Sequence, residues 1–379
     1  MSIRTEVLEL IQGRPGGRVP WFGDLSYYYY SLQRRGTLEK RYEGPEGEKR
    51  FYLDLGVGIY LYTPDVFLVE YDDTVRYSEY KSPSSIVQRF DTPVGSIRSV
   101  QGYVEGQYCY AYSKHFVESI EDLRVMRYVH ERSRYRENYN SYRDYDTLWG
   151  EDGIGFAMAV ASMAPIQKLM SRWAGVETTV TLMMEFPEEL EGTFSAIEDS
   201  QQPLVEVLAA SPAQVVILPE NLASEVTGER FFRRYNMPYY RRLTSRLHEA
   251  GKTVALHIDG GLIPCLGLLS ACGIDIAEAV TPAPFGNVEV ERLRETAGPE
   301  IIIWGGLPGG IFSSNYSDKF FEDYVTRVLR NADDRFVLGV ADQVPPDAVP
   351  RRISRVRELV EANPRPSRGD HDGKEDERA

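Results

Sequence analysis

The chain has 379 residues, 42% of them hydrophobic, and a formal net charge of −14 from 43 Lys and Arg against 57 Asp and Glu. A nucleic-acid binder needs a basic surface for phosphate contacts, so this charge argues against that class. No stretch approaches the roughly 18 apolar residues of a membrane span, and the start lacks the apolar core of a signal peptide. Cys109, Cys265 and Cys272 form neither a disulfide framework nor a CxxC pair. We therefore expect a cytoplasmic protein with no nucleic-acid or membrane partner.

The first 150 residues are unusually rich in tyrosine, including four in a row at 27–30. Residues 5–12 predict an opening helix, and the segments 18–21 and 56–60 predict two early strands. We expect the rest of this region to form long excursions over the mouth of a barrel. Clustered tyrosines either pack with the hydroxyl at a wet edge or line a substrate cleft, and the sequence leaves both alternatives open.

From about residue 176, short apolar segments rich in Val, Ile and Leu alternate with helical ones, as expected for strands covered on both faces. The predicted strands are 176–184, 214–218, 253–258, 274–280, 301–304 and 336–340. The predicted helices are 187–197, 231–250, 263–271, 288–296, 319–331 and 347–362. This alternation implies a parallel sheet, either a barrel or a doubly wound sheet. No glycine-rich nucleotide-binding motif follows any strand, which favours a (β/α)8 barrel.

One domain is expected to span residues 1–363. Residues 1–150 supply the early strands and the excursions, and residues 151–363 supply the regular β/α units. The charged segment 364–379 cannot bury apolar surface, so we expect a disordered tail there.

The candidate site follows from the barrel rule that active sites lie at the carboxyl ends of the strands, here called the mouth. The residues that the predicted strands deliver to this end are Glu220, Asn221, His257, Asp259, Glu278, Trp304 and Asp342. Because polar groups recur at the same end of successive strands, we expect them to share a cleft. Trp21 and Tyr28, from the N-terminal region, are predicted to bind substrate with Asn221, Glu278, Trp304 and Asp342.

Within this set, His257, Asp259 and Glu220 are the predicted catalytic residues. Imidazole and carboxylate groups suit Zn²⁺ or a similar ion, and the same three residues serve general acid–base chemistry without a metal. Each has an alternative role. His257 could be a hydrogen-bonded structural residue, Asp259 could cap the following helix, and Glu278 could pair with a nearby arginine.

Four motifs in order carry a family resemblance: Pro219-Glu-Asn221, Gly251-Lys-Thr-Val-Ala-Leu-His-Ile-Asp-Gly260, Gly273-Ile-Asp-Ile-Ala-Glu278 and Thr281-Pro-Ala-Pro-Phe-Gly286. Together they resemble the uroporphyrinogen decarboxylase superfamily, which includes the methylcobalamin:coenzyme M methyltransferases and related corrinoid-dependent methyltransferases. The likeness covers most of the chain except the tail. It implies a distorted (β/α)8 barrel, the TIM barrel, with the cleft at the mouth and the tyrosine-rich N-terminal extension over it.

Two departures from the family pattern bear on function. The decarboxylases have an arginine-bearing motif after the Pro-x-Trp region, whereas here no arginine follows Trp21 until Arg34. The coenzyme M methyltransferases bind zinc through a His-x-Cys pair and a later cysteine. Here Asp259 and the segment ending at Asp342 stand at those positions, which makes a harder ligand set than thiolate.

The resemblance therefore implies a divergent member nearer the methyltransferases than the true decarboxylases. The expected function is the methyltransferase component of a corrinoid-dependent methyl-transfer or demethylation system, acting on a small-molecule methyl donor or acceptor. Methylcobalamin would be carried by a corrinoid-binding partner protein, since the Asp-x-His-x-x-Gly ligand motif is absent here. Zinc or another divalent ion is a further expected cofactor. The alternatives are a decarboxylase or lyase acting on a smaller substrate and a non-catalytic ligand-binding barrel. The sequence leaves the oligomeric state open, with a homodimer as one alternative.

Overall fold

A computed structural model describes residues 1–60 and 65–365. The strands in chain order are β1 (Trp21–Phe22), β2 (Ile59–Tyr60), β3 (Phe67–Tyr71), β4 (Arg76–Lys81), β5 (Ser85–Thr92), β6 (Gly95–Val104), β7 (Cys109–Lys114), β8 (Ser133–Glu137), β9 (Gly153–Ile154), β10 (Phe156–Met158), β11 (Val215–Leu222), β12 (Thr253–Ile258), β13 (Ile276–Val280), β14 (Ile302–Pro308) and β15 (Phe336–Ala341).

The helices in chain order are α1 (Ile3–Ile11), α2 (Ser26–Arg35), α3 (Gly44–Asp54), α4 (Ile120–Glu131), α5 (Tyr139–Trp149), α6 (Pro165–Lys168), α7 (Gly175–Glu185), α8 (Pro187–Ala210), α9 (Ser224–Phe231), α10 (Met237–Glu249), α11 (Leu293–Ala297), α12 (Asp318–Arg330) and α13 (Pro350–Ala362). Short 3-10 or π turns supplement them, including 266–268 and 270–272 where the sequence predicts one helix over 263–271. Within the described ranges, no helix is both long enough and apolar enough to cross a bilayer.

The parallel strands close into a ring. Seven of them pair in the order β1-β15-β14-β13-β12-β11-β10, and β2 pairs in parallel with β9, which continues into β10 after Gly155. The ring closes where Gly58 bridges Phe22, with the Gly58 N–H donating to the Trp21 carbonyl at 3.1 Å. Counting β9 and β10 as one strand, eight parallel strands surround the core. The predicted distorted (β/α)8 barrel is confirmed.

Apolar side chains fill the interior of the ring. The Trp304 ring lies 4.9 Å from the rings of both Phe22 and Tyr60 between centroids, and Val7 and Leu10 of α1 belong to the same buried cluster. Helix α1 therefore packs against one end of the barrel core. Because the interior is packed rather than hollow, the polar site lies at the mouth above it.

The excursion between β2 and β9 carries an antiparallel insertion. Strand β3 pairs with β8, and β4 to β7 form a four-stranded meander. The meander reaches α2: Tyr27 donates a hydrogen bond to the Gln107 carbonyl, and the Arg34 Nε donates to the Tyr103 hydroxyl at 3.3 Å. Since α2 follows the carboxyl end of β1, the insertion lies on the mouth side, as predicted.

One predicted strand is wrong. The segment 176–184 lies in helix α7, and the barrel strand expected there is β9–β10, about 25 residues earlier. Val176, Val180 and Met184 are 45%, 37% and 79% exposed, so apolar residues that resemble a buried strand form one solvent-facing helical stripe. The β-branched composition misled the prediction because β-propensity depends on burial context.

The predicted tail lies mostly outside the described residues, which end at Arg365. Arg365 itself is 9% exposed, and its backbone N–H donates to the Gly17 carbonyl at 3.0 Å.

Candidate active site at the barrel mouth

A buried chain of hydrogen bonds joins three barrel strands at the mouth. The Nδ1–H of His257 donates to Glu278 Oε2 at 2.6 Å, and the Tyr60 hydroxyl donates to Glu278 Oε1 at 2.8 Å. The Glu278 side chain is 1% exposed, whereas that of His257 is 13% exposed. Glu278 is therefore held from both sides, and the second ring nitrogen of His257 is left to face the mouth.

Strand geometry explains why these residues meet. His257 and Glu278 are directly paired in the parallel register of β12 and β13. Alternate residues of a strand point to opposite faces, and Ala255 and Ile276, two positions earlier on these strands, belong to the cluster inside the barrel. His257 and Glu278 therefore continue the inward-facing rows of β12 and β13 up to the mouth.

The groups around His257 are acidic. Asp342 Oδ1 lies 3.8 Å from His257 Nε2, and the charge of Asp259 also acts on the ring. Burial alone would lower the pKa of His257, but the charge and hydrogen bond of Glu278, with Asp342 and Asp259, raise it to about 9. His257 is consequently an imidazolium at neutral pH.

Two aspartates at the mouth bind protons unusually tightly. Burial raises the pKa of Asp342 to about 6, against the opposing charge of His257. Burial raises the pKa of Asp24 to about 7, although Ser26 and Gln343 donate hydrogen bonds to its carboxylate at 2.8 and 3.0 Å. The mouth thus brings together groups that change charge over the pH range of most enzyme reactions.

Glu220 lies away from this cluster. On β11, Val216 and Leu218 belong to the outer cluster, but the strand register shifts between Leu218 and Leu222, so the position of Glu220 follows from its contacts. Its Oε1 accepts the backbone N–H of Ala164 at 2.9 Å. The structure therefore brings Glu220 next to Ala164, Tyr240 and Lys168 rather than next to His257.

The predicted metal site is not assembled. In residues 1–60 and 65–365, no group of three or more His, Cys, Asp or Glu side chains is arranged to hold a metal ion. His257 Nδ1 is engaged by Glu278, which leaves one ring nitrogen to bind an ion. Zinc binds nitrogen and oxygen ligands at about 2.0–2.2 Å and in structural sites uses four of them. The residues present do not fit such an ion, and we derive no step through one.

The other predicted site residues are divided between the mouth and the core. Asn221, at the end of β11, is exposed and has φ of +48°. Trp304, paired with Glu278 in the register of β13 and β14, is fully buried in the inner cluster of the barrel rather than exposed to a substrate. Tyr28 is 6% exposed and packs on Phe51 of α3. These last two residues therefore support the fold.

Trp21 also lies outside the mouth. It lines a separate cavity of about 260 Å³, together with Val57 and Gly58, which directly precede β2, and Glu151, which precedes β9. Because these neighbours come from the starts of the strands, this cavity is at the end of the barrel opposite the mouth.

Sequence reasoning missed two members of the site, Tyr60 and Asp24. Tyr60 belongs to a two-residue strand, which is too short to show an inward and an outward row. Asp24 had a usable signal, because it stands two residues beyond the inward-facing Phe22. Alternation from that residue predicts that Asp24 points toward the mouth.

The buried position of Glu220 predicts a pH-dependent stability. Burial raises its pKa from the usual 4.5 to about 8, despite opposing contributions from Ala164, Tyr240 and Lys168. The folded protein therefore holds this proton more tightly than the unfolded chain, and stability falls as pH rises from about 4.5 to about 8. We expect Glu220→Gln, which keeps the oxygen facing Ala164, to remove this loss, on the order of 4 kcal/mol at pH 8.

Urea unfolding of wild type and Glu220→Gln at pH 5 and pH 8 measures this effect. Glu300→Gln, on an exposed side chain, is the control and should track wild type at both values. An equal difference between Glu220→Gln and wild type at the two pH values would contradict a raised pKa at Glu220.

Comparison with known proteins defines the class. The uroporphyrinogen decarboxylase (URO-D) family model matches residues 151–363, more than half of the chain, and the chain belongs to that family. Comparison with curated protein sequences gave no significant match.

Two solved structures are similar to this chain. A methyltransferase from Methanosarcina mazei superposes with a TM-score of 0.57 at 12% identity, covering 96% of this chain and 99% of that one. A protein described as a vitamin-B12 independent methionine synthase from Listeria monocytogenes gives a TM-score of 0.41 at 10% identity, covering 91% and 96%. At these identities the first likeness establishes the fold alone.

Proposed function

We propose that this protein is the methyltransferase component of a corrinoid-dependent demethylation system, with His257 as its proton donor. The observation that carries the proposal is the His257–Glu278–Tyr60 chain, which holds a charged imidazole at the mouth with Nε2 free of the Glu278 contact. The methyltransferase from Methanosarcina mazei, which has a similar fold over nearly its whole length, supports the same class of reaction.

The chemistry needs an acid at this position. When the methyl group leaves a nitrogen or oxygen of the donor, the carbon–heteroatom bond breaks and its electron pair stays on the heteroatom. The Nε2–H of His257 supplies the proton that neutralises this atom, while Glu278 stabilises the imidazolium before transfer and fixes the ring. The corrinoid, carried by a partner protein, would supply the methyl acceptor. In the opposite direction neutral His257 would take the proton back.

The charge of the mouth favours a neutral methyl donor over an anionic one. Glu278, Asp342 and Asp259 all act on His257 as negative charges. A substrate with many carboxylates would be repelled there, which disfavours porphyrinogen decarboxylation. A methylated amine or a methoxy compound meets no such penalty.

The rim offers an apolar surface for the corrinoid-binding partner. Ile263 and Phe285 are 47% and 42% exposed on the loops that follow β12 and β13. Asn287 ties the two loops together, because its side-chain oxygen accepts the Leu262 N–H at 2.7 Å. A contiguous exposed apolar patch beside a site is typical of protein–protein contact, and we propose that these two loops form such a patch for the partner.

Methyl transfer to free cob(I)alamin tests the proposal. Purified protein is given cob(I)alamin with methylated amines or methoxy-aromatic donors, and methylcobalamin is followed by absorbance. We expect protein-dependent methylcobalamin formation with at least one donor class. The same His257 could instead protonate the carbanion left when CO₂ departs, so carboxylic substrates are assayed in parallel. Release of CO₂ without methyl transfer would favour a decarboxylase, and binding without turnover would favour a ligand-binding barrel.

The pH profile follows from the two titrating groups at the mouth. Because His257 must be protonated to act as the acid, kcat/KM should fall above about pH 9, and it should fall below about pH 6 as Asp342 loses its charge. In Glu278→Gln the leading cause that raises the His257 pKa is gone, so the alkaline limb should move to lower pH by about one unit or more. An alkaline limb unchanged by Glu278→Gln would contradict the pairing.

A further inference from the structure

A second cavity lies beneath the antiparallel insertion, next to the segment that follows β10. Its volume is about 290 Å³. Its aromatic walls include Tyr71, Tyr77, Phe90, Tyr112, Tyr135 and Trp173. An engineered apolar cavity of about 150 Å³ holds benzene, so this one has room for a substituted aromatic ring.

Basic side chains occupy one side of this aromatic cavity. Lys168 is 5% exposed, and its Nζ donates to the Ala161 carbonyl at 2.7 Å and lies 4.9 Å from the Trp173 ring centre. Arg172 and His130 also line the cavity. Burying cations is costly unless an anion or several acceptors compensate for lost water.

Two nitrogen atoms of the basic side chains that line this cavity lack hydrogen-bond partners in the described part of the chain. His130, 6% exposed, has a buried Nδ1 with no hydrogen-bond partner in the described part of the chain, and the same is true of Arg172 Nε. Native proteins leave few such atoms, and each points to strain or to an absent ligand or water. The residues that carry these two atoms both line the cavity, although the atoms themselves lie behind its surface, so this wall of the cavity is polar and suits a polar ligand.

Basic groups outnumber acidic ones in the lining of the cavity: Lys168 and Arg172 are opposed by Asp65, whose pKa burial raises against the charge of Arg172. Burial and the neighbouring Arg172 lower the pKa of Lys168 to about 7, and burial lowers that of His130 well below its usual value. The charge of Glu220 opposes the lowering of the Lys168 pKa. Burial raises the pKa of Glu220 itself to about 8, so Glu220 is largely neutral at pH 7. Within the described residues, the carboxylate that acts on Lys168 thus provides little negative charge at neutral pH.

We propose that this cavity binds a small aromatic carboxylate, with the ring among the tyrosines and the carboxylate at Lys168 and Arg172. The aromatic walls account for the ring, and the guanidinium and ammonium groups account for the anion. An inorganic anion leaves the aromatic walls unfilled, and a cation is repelled by both basic groups. The site is separate from the His257 cluster and does not rest on the proposed methyl transfer.

Calorimetric titration with benzoate tests the site without any turnover. Benzamide, which has the same ring but no charge, and inorganic phosphate, which has charge but no ring, are the comparison ligands. We expect benzoate to bind at least about tenfold more tightly than either. At pH 8 benzoate binding should also take up protons, because an anion beside Lys168 raises the pKa of that side chain.

Variants locate the binding. Lys168→Met should weaken benzoate binding by at least about tenfold, whereas Lys252→Met, which removes another lysine bonded to backbone carbonyls, should leave it unchanged. If Lys168→Met does not fold, Arg172→Leu is measured with the same criterion. Equal binding of benzoate and benzamide, no benzoate binding to wild type, or wild-type benzoate affinity in a folded Lys168→Met or Arg172→Leu variant would overturn the proposal.

Discussion

Replacing His257 with glutamine is expected to lower kcat for methyl transfer by about 10²–10⁴-fold, the usual contribution of a general acid. The imidazole Nε2, which does not contact Glu278, faces the mouth. Glu278 and Tyr60 are hydrogen-bonded to each other, so neither replaces His257 as the proton donor there. Glutamine can still hydrogen-bond Glu278, so the fold should be retained. The alkaline limb of the pH profile should disappear with the imidazole.

His248→Gln is the matched control for this variant. His248 also pairs with a carboxylate, its Nε2 lying 2.9 Å from Asp275 Oδ2, but 40% of its side chain is exposed. We expect activity within about twofold of wild type, because an exposed pair contributes little. A His257→Gln variant with wild-type kcat and an intact alkaline limb would show that His257 is structural.

Trp304→Ala is expected to destabilise the protein by about 3–5 kcal/mol, as large-to-small changes in a packed core do. The Trp304 ring contacts Phe22, Tyr60 and Phe156 with centroids 4.9, 4.9 and 5.2 Å away, and the residue has no exposed surface. The measurement is the free energy of unfolding from urea titration.

Trp304→Phe provides the control. The indole N–H of Trp304 has no hydrogen-bond partner within residues 1–60 and 65–365, so phenylalanine removes volume without breaking such a bond. Its cost should be about 1–2 kcal/mol. Wild-type stability in Trp304→Ala, combined with a raised KM, would instead support the sequence-based prediction that Trp304 binds substrate.

The barrel strands that carry the site were predictable because they are short, fully covered and bounded by turns. Strand β12 has the predicted bounds, Thr253–Ile258, and its carboxyl end presents His257. The position of Glu220 was not predictable in the same way, because the register of β11 shifts between Leu218 and Leu222 and interrupts the alternation of its residues. The prediction grouped residues by strand end alone, and that rule does not distinguish the two faces of a strand.

The insertion and the partners of Glu278 were beyond sequence reasoning for different reasons. Every residue of β4, from Arg76 to Lys81, is exposed, so the strand has no apolar alternation to detect. Glu278 was predicted to bind substrate, with a nearby arginine as the alternative partner. Its partners come from β2 and β12, and its distance from Tyr60 in sequence is 218 residues. Only closure of the barrel brings that pair together.

The most direct test of the His257 site follows methyl transfer and proton uptake in the same reaction. With cob(I)alamin and a methylated amine or methoxy-aromatic donor, wild type should form methylcobalamin and take up one proton per methyl group from neutral solution. His257→Gln should do neither at an appreciable rate. Carbon dioxide release in place of methyl transfer, or full methyl transfer by His257→Gln, would contradict it.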